Sequence, residues 1–122
     1  MRDYYNSETE RYFETEPYRR VLLRIGDGKE NTVHLSELTR YSGIPDRQIR
    51  KIIEFLRRQG IVIISSNNGY YFPADITELE DYVRREEHRA RSTFFTLKAA
   101  RQLLKKMREG EYNNGTSEKG KT

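Results

Sequence analysis

The sequence predicts an α+β domain that is mainly helical, carries one small β-hairpin, and continues into a long C-terminal helix or helix pair. Three observations predict it. Apolar residues recur at helical spacing from Tyr18 to Leu56. The β-branched run Ile61–Ile64 is followed by Asn67-Asn68-Gly69 and then by Tyr70-Tyr71-Phe72, a strand–turn–strand pattern. From Ile76 to Met107 there is neither glycine nor proline.

Taken in order, Ser7 and Glu10 fit a capping box for a short helix around Glu8–Glu14. Pro17 opens a helix whose face carries Tyr18, Val21, Leu22 and Ile25, and Gly26-Asp27-Gly28 stops it. Val33 and Leu35 flank His34 in a very short extended piece. Ser36 is placed to cap a helix carrying Leu38 and Tyr41, which ends at Ser42-Gly43. Pro45 and Asp46 then start a helix over Arg47–Gln59, with Ile49, Ile52, Ile53 and Leu56 on one face and Gly60 at its end. Asp75 with Glu78 forms a second capping box. After it, Ile76, Leu79, Val83, Glu86, Ala90, Thr93, Leu97, Ala100, Leu104 and Met107 alternate spacings of three and four.

That stripe reads as a dimerisation seam through Leu97, Ala100, Leu104 and Met107, with Ser92 or Thr93 placed to cap a second helix if the first breaks there; the alternative to dimerisation is folding back onto the helix at 17–25 and the N-terminal aromatics. Four segments result: a polar, aromatic arm (1–16), a compact domain (17–75), a helical dimerisation segment (76–109) and a tail (110–122) too polar to order.

Composition narrows the function. Apolar and charged residues each make up 34% of the 122-residue chain, against typical values of roughly 45–50% and 25%. The core is therefore small, with little room for a deep catalytic cleft. Cysteine is absent, which excludes disulfides, thiolate metal sites and cysteine nucleophiles. No apolar run approaches the ~18 residues a membrane helix needs, and no signal-peptide core is evident, so the expectation is a soluble, cytoplasmic chain without membrane contact. His34 and His88 lack ligand-spaced partners, so no metal is expected. Gly26-Asp27-Gly28-Lys29 lacks the spacing of a phosphate loop. Glu86 and Glu87, adjacent on a helix, do not form an acid/base pair. A tyrosine nucleophile would need a preorganised cluster around the scissile phosphate. Neither enzyme activity nor a small-molecule cofactor is expected.

The net charge is only +4, but it is unevenly placed. Residues 47–64 hold five basic side chains against one acidic, residues 65–83 hold four acidic and no basic, and residues 84–108 hold nine basic against two acidic. Local positive surfaces of this kind suit an anionic partner.

Leu38-Thr39, Gly43-Ile44 and Ile49 resemble the helix-turn-helix family, with Thr39 small at the helix crossing and Gly43 in the turn. The hairpin with Gly69-Tyr70-Tyr71-Phe72 directly after makes residues 17–75 resemble a winged helix-turn-helix. They are similar to the biotin-repressor N-terminal domain and to small winged-helix proteins of phages and mobile elements. The glycine-aromatic hairpin also resembles that of iron–sulfur redox regulators, whose cysteines this chain lacks.

The resemblance implies double-stranded DNA binding, as a homodimer, by a transcriptional regulator or a replication accessory factor in a bacterial cell or phage-infected host. It makes Arg47–Gln59 the recognition helix. Arg47, Gln48, Arg50 and Lys51 would then meet base edges in the major groove. Ser36, Arg58 and the hairpin residues Ser65, Ser66, Asn67 and Asn68 would meet the DNA backbone. The competing expectation is an adaptor that uses the same surfaces for a protein partner, since fold does not fix function. A purely structural helical protein is the third reading and leaves the hairpin unexplained.

Overall fold

The computed structural model describes residues 7–114. In chain order the elements are α1 (Ser7–Glu10), a 3-10 turn (Arg11–Phe13), α2 (Tyr18–Leu22), a 3-10 turn (Lys29–Asn31), β1 (Val33–His34), α3 (Leu35–Ser42), α4 (Asp46–Arg58), β2 (Ile64–Ser66), β3 (Gly69–Tyr71) and α5 (Ile76–Asn114). The protein is mainly helical with a three-stranded antiparallel sheet and a long C-terminal helix. Its contacts divide it into one unit ending at Tyr82 and a second beginning at Val83.

The first unit holds one core. Val21, Leu22, Leu38, Ile49, Ile53, Leu56, Ile61, Ile63 and Phe72 are essentially fully buried, so α2, α3, α4 and the hairpin each contribute an apolar face. The described part of the N-terminal arm docks onto this core. Tyr12 is buried, with its ring edge-on to Tyr18 and Phe55, which stack on each other at 5.4 Å. The arm helix is shorter than the sequence pattern suggests, because the chain tightens to a 3-10 turn at Arg11 that swings Tyr12 inward. Likewise α2 ends at Leu22, but Arg24 and Ile25 continue with N–H bonds to the carbonyls three residues back, so Ile25 still reaches the core.

Between α3 and α4 the chain turns at Gly43, whose φ of 75° lies in the left-handed region. Its N–H bonds Thr39 O at 2.9 Å, and the buried Ser42 hydroxyl accepts the Ile44 N–H at 3.0 Å. Arg20 Nη1 donates to Ser42 O at 2.9 Å, fastening α2 to the same corner. Thr39 does more than allow close approach: its hydroxyl donates to Asp46 Oδ1 at 2.8 Å, tying α3 to the first turn of α4.

At its other end α4 closes with paired bonds from Gly60 N to Arg57 O and from Ile61 N to Leu56 O, with Gly60 at φ 101°. Ile61 is therefore the residue that seals the helix end, not the start of a strand. The expected strand Ile61–Ile64 is corrected to Ile64–Ser66. The register explains why: Ser66 faces Gly69 and Ile64 faces Tyr71, so the next bonded pair would need an N–H from Pro73, which has none. Ile61, Ile63 and Ile64 are apolar because they fill the core.

Asn67 and Asn68 make the two-residue turn, with φ values of 48° and 62°. β1 joins on the far side of β3, giving the order β1-β3-β2 with Val33 opposite Tyr70 and His34 opposite Gly69. The expected return strand Tyr70–Phe72 is shifted by one residue, since Phe72 leaves the ladder. Its N–H bonds Gly26 O at 2.8 Å and its carbonyl accepts from Gly28 N at 2.7 Å.

The helix start expected at Ser36 is also corrected. α3 begins at Leu35 with His34 as its cap, and the His34 N–H bonds Glu37 Oε1 at 3.4 Å, leaving Ser36 exposed within the first turn.

Asp75 does cap α5, accepting the Glu78 N–H at 2.9 Å, while the Glu78 carboxylate takes the N–H groups of Ala74 and Lys29 at 2.9 and 3.0 Å. No break occurs at Ser92–Thr93. Without glycine or proline there, nothing interrupts the ladder, and α5 runs on through residues 110–114, where the polar composition predicts a disordered tail. The rest of that tail, 115–122, lies outside the described residues. At 1.5 Å per residue, the 39 residues of α5 extend over ~58 Å.

Gly69 is where a side chain is least tolerable: a Cβ there would lie 2.5 Å from Val33 O and 2.7 Å from Thr32 Cγ2. We expect Gly69→Ala to unseat β1 and lower stability by about 1–3 kcal/mol, read as a lower urea midpoint with an unchanged m-value.

Candidate nucleic-acid interface

The candidate interface is built on α4 and its two neighbours, the start of α3 and the β2–β3 hairpin. Ile49, Ile53 and Leu56 are buried at 0%, 1% and 0% exposure, which fixes the rotation of the helix. The opposite face is therefore set: Arg47, Gln48, Arg50, Lys51, Glu54 and Arg58 are all exposed. Glu54 and Arg58 neutralise each other at 3.2 Å, so Arg58 is not a free cation. Among the described residues, the side chains of Arg47, Gln48, Arg50 and Lys51 make no hydrogen bond, and the three cations make no ion pair. Three unneutralised cations and one amide thus share the first half of the helix.

The hairpin is fastened beside them. Arg57, beyond the half of α4 that carries the exposed cations, packs against the hairpin. Its Nε donates to Ile63 O and its Nη2 to Ser65 Oγ, both at 2.8 Å, and its guanidinium lies 5.9 Å from the Tyr70 ring centroid. Arg57 is thus a strut between α4 and the hairpin. The turn is held from the other side, where Leu35 N–H bonds Asn68 O at 2.9 Å. An arginine three residues before the helix-ending glycine was visible in the sequence, but its partners lie six and eight residues on, across a turn.

Between these elements lies a cleft of about 290 Å³ lined by Leu35, Arg50, Ser65, Asn68, Gly69 and Tyr70. It brings together Arg50, Ser65 and Asn68 of the sequence-predicted set. Ser66 is half-buried, while Asn67 is exposed at the turn. The Ser65 hydroxyl accepts from Arg57 and keeps its own O–H to donate. Such a surface offers donors from arginine, lysine, amide and hydroxyl groups, the chemistry that holds phosphate and reads base edges. Outside it, Arg24 lies 3.8 Å from the centroid of the half-exposed Tyr41 ring, which Arg40 also approaches.

Among the described residues no three His, Asp or Glu side chains gather to hold a metal ion, and no helix is long and apolar enough to cross a membrane. The stripe residues Leu97, Ala100, Leu104 and Met107 belong to the second unit, where all four are exposed. Comparison with protein-family models, with curated proteins and with solved structures finds no match to this chain.

Removing the strut isolates its contribution. Arg57→Ala is expected to cost about 1.5 kcal/mol of stability, because two charge-assisted bonds disappear. Amide exchange at Ser65 and Ser66 should accelerate more than exchange in α4, which the buried isoleucines still hold.

Proposed function

We propose that the chain binds double-stranded DNA in a sequence-dependent way, with α3 and α4 as a helix-turn-helix, α4 as the recognition helix and the β2–β3 hairpin as its wing. The observation that carries this reading is the outer face of α4, where Arg47, Gln48, Arg50 and Lys51 stand exposed with no side-chain hydrogen bond or ion pair among the described residues. Cations without an ion pair among the described residues are available to an anionic partner. They also lie in the N-terminal half of the helix, the part that enters the major groove in folds of this kind.

In that arrangement Arg47, Arg50 and Lys51 address guanine O6 and N7, and Gln48 addresses adenine. Arg50 borders the cleft and stands between base edge and phosphate. Ser65, Ser66, Asn67, Asn68 and Ser36 serve the DNA backbone as neutral donors. Arg58, paired with Glu54, contributes less than its charge suggests. The wing tip carries no lysine or arginine, so between helix and wing the electrostatic attraction comes from α4. Self-association through Leu97, Ala100, Leu104 and Met107 would present two such units to a two-fold site, and the role that fits this reading is a transcriptional regulator or replication accessory factor.

Fluorescence anisotropy with random-sequence duplex over a salt series tests this. Each phosphate that the protein neutralises adds about 0.9 to the steepness of the log–log salt slope. On random sequence the three cations rest against phosphates rather than guanines. Wild type is therefore expected to bind with a steep slope, and Arg47/Arg50/Lys51→Ala to lose most of its affinity and about 2–3 units of slope. Against a selected operator, Arg50→Ala alone should cost about 1–3 kcal/mol. Absence of duplex binding at low salt would overturn the proposal. Capture of a protein partner through the same face would then support the adaptor reading.

A further inference from the structure

We infer that α5 is the docking surface for a second copy of this chain, and that the two helices run antiparallel about a two-fold axis crossing them near residue 95. This deepens the self-association included above, and it names the geometry that the apolar stripe leaves open.

The first observation is an uncovered apolar face. Phe94, Leu97, Leu104 and Met107 are 65%, 41%, 47% and 56% exposed, and patches of this kind on a soluble chain mark a contact. From Val83 to Met107 the stripe of three-and-four spacing contains one charged residue, Glu86, which Arg89 neutralises at 3.1 Å.

The second observation says what covers it. The residues flanking one side of the stripe recur every seven positions as Glu80, Glu87, Phe94, Arg101 and Arg108. The series is charge-complementary to its own reverse. In an antiparallel pair this flank meets its own symmetry mate, so Glu80 faces the partner's Arg108, Glu87 faces the partner's Arg101, and Phe94 meets the partner's Phe94 at the axis. All five are exposed, and among the described residues none of the four charged ones has an ion-pair partner within its own chain.

The same register aligns the seam except at Glu86, which it sets against the partner's Leu104 while Arg89 of its own chain neutralises it. Val83 packs on the partner's Met107, Ala90 on the partner's Ala100, and Thr93 on the partner's Leu97, with the small residues beside the axis allowing close helix approach. A parallel pair makes no use of the series. There the flank meets the opposite flank (Tyr82, Arg89, Thr96, Leu103), which yields no Glu–Arg pair beyond Glu87 with Arg89 or Glu80 with Arg89, and the acidic and basic ends of the helix each face their own kind. Charge complementarity therefore selects both the occupant and its direction.

Charge reversal in the 122-residue chain tests this without DNA, so failure here is distinct from failure of the DNA-binding proposal. By sedimentation equilibrium the wild type is expected to be dimeric. Glu87→Arg and Arg101→Glu each place like charges together at two symmetry-related sites and should weaken the dimer roughly tenfold or more. The double variant restores opposite charges and should recover near wild-type affinity. Because the chain has no cysteine, Glu87→Cys and Arg101→Cys copies can also be mixed and joined by a short bismaleimide, where the mixed product should dominate over either self-linked product. A monomeric wild type at high micromolar concentration, a double variant no better than the singles, or no excess of the mixed product would each overturn the inference. A wild type that remains monomeric but is captured on a heterologous helical partner would do so as well.

Discussion

Burial of Ile49, Ile53 and Leu56 fixes the rotation of α4 about its own axis, and the rest of the first unit depends on that rotation. The three side chains occupy one stripe, so water can be kept from them in one orientation only. That orientation turns Arg47, Arg50 and Lys51 outward and brings Arg57 to the side from which it reaches Ile63 and Ser65. It also places Leu56 O where the Ile61 N–H can close the helix. Core, helix end and hairpin attachment are thus consequences of one apolar stripe. The outward cations follow from it at no further structural expense.

A small apolar content shapes the division of the molecule. With only a third of the chain apolar, the core of the first unit draws on residues from Tyr12 to Phe72 and leaves none of the described side chains of α5 beyond Tyr82 buried. Isolated helices gain little from propensity alone and are stabilised in proteins mainly by packing. α5 meets part of this requirement locally. Asp75 and Glu78 secure its first turn, and the Glu86–Arg89 ion pair lies on its surface. These contacts are individually weak, which is why the disposition of its unpaired charges carries information.

Local chemistry made much of this architecture legible in the sequence. Gly43 and Gly60 stand where the backbone needs positive φ, and Asn67-Asn68 forms the turn its residue types specify. The buried and exposed faces of α4 follow directly from spacing. What escaped reading depended on partners distant in the chain. Ile61–Ile64 reads as a strand until the register shows Pro73 ending the ladder. Phe72 reads as ladder until its bonds to Gly26 and Gly28 are seen. Of the candidate interface, Arg47, Gln48, Arg50 and Lys51 were legible because helical periodicity places them. The strut role of Arg57, the pairing of Arg58 with Glu54 and the cleft beside Arg50 were not, because each depends on side-chain geometry that spacing alone does not set.

The corner at Gly43 has a consequence for handedness. Its backbone lies in a region that is costly for L residues and natural for their mirror images, and a Cβ built there meets nothing within 4 Å. The site is sterically open and conformationally closed. The backbone region at position 43 is one that D residues adopt as readily as L residues adopt its mirror image, and any residue there has less freedom than glycine to lose from the unfolded chain. The corner between α3 and α4 thus distinguishes side chains by chirality rather than by size.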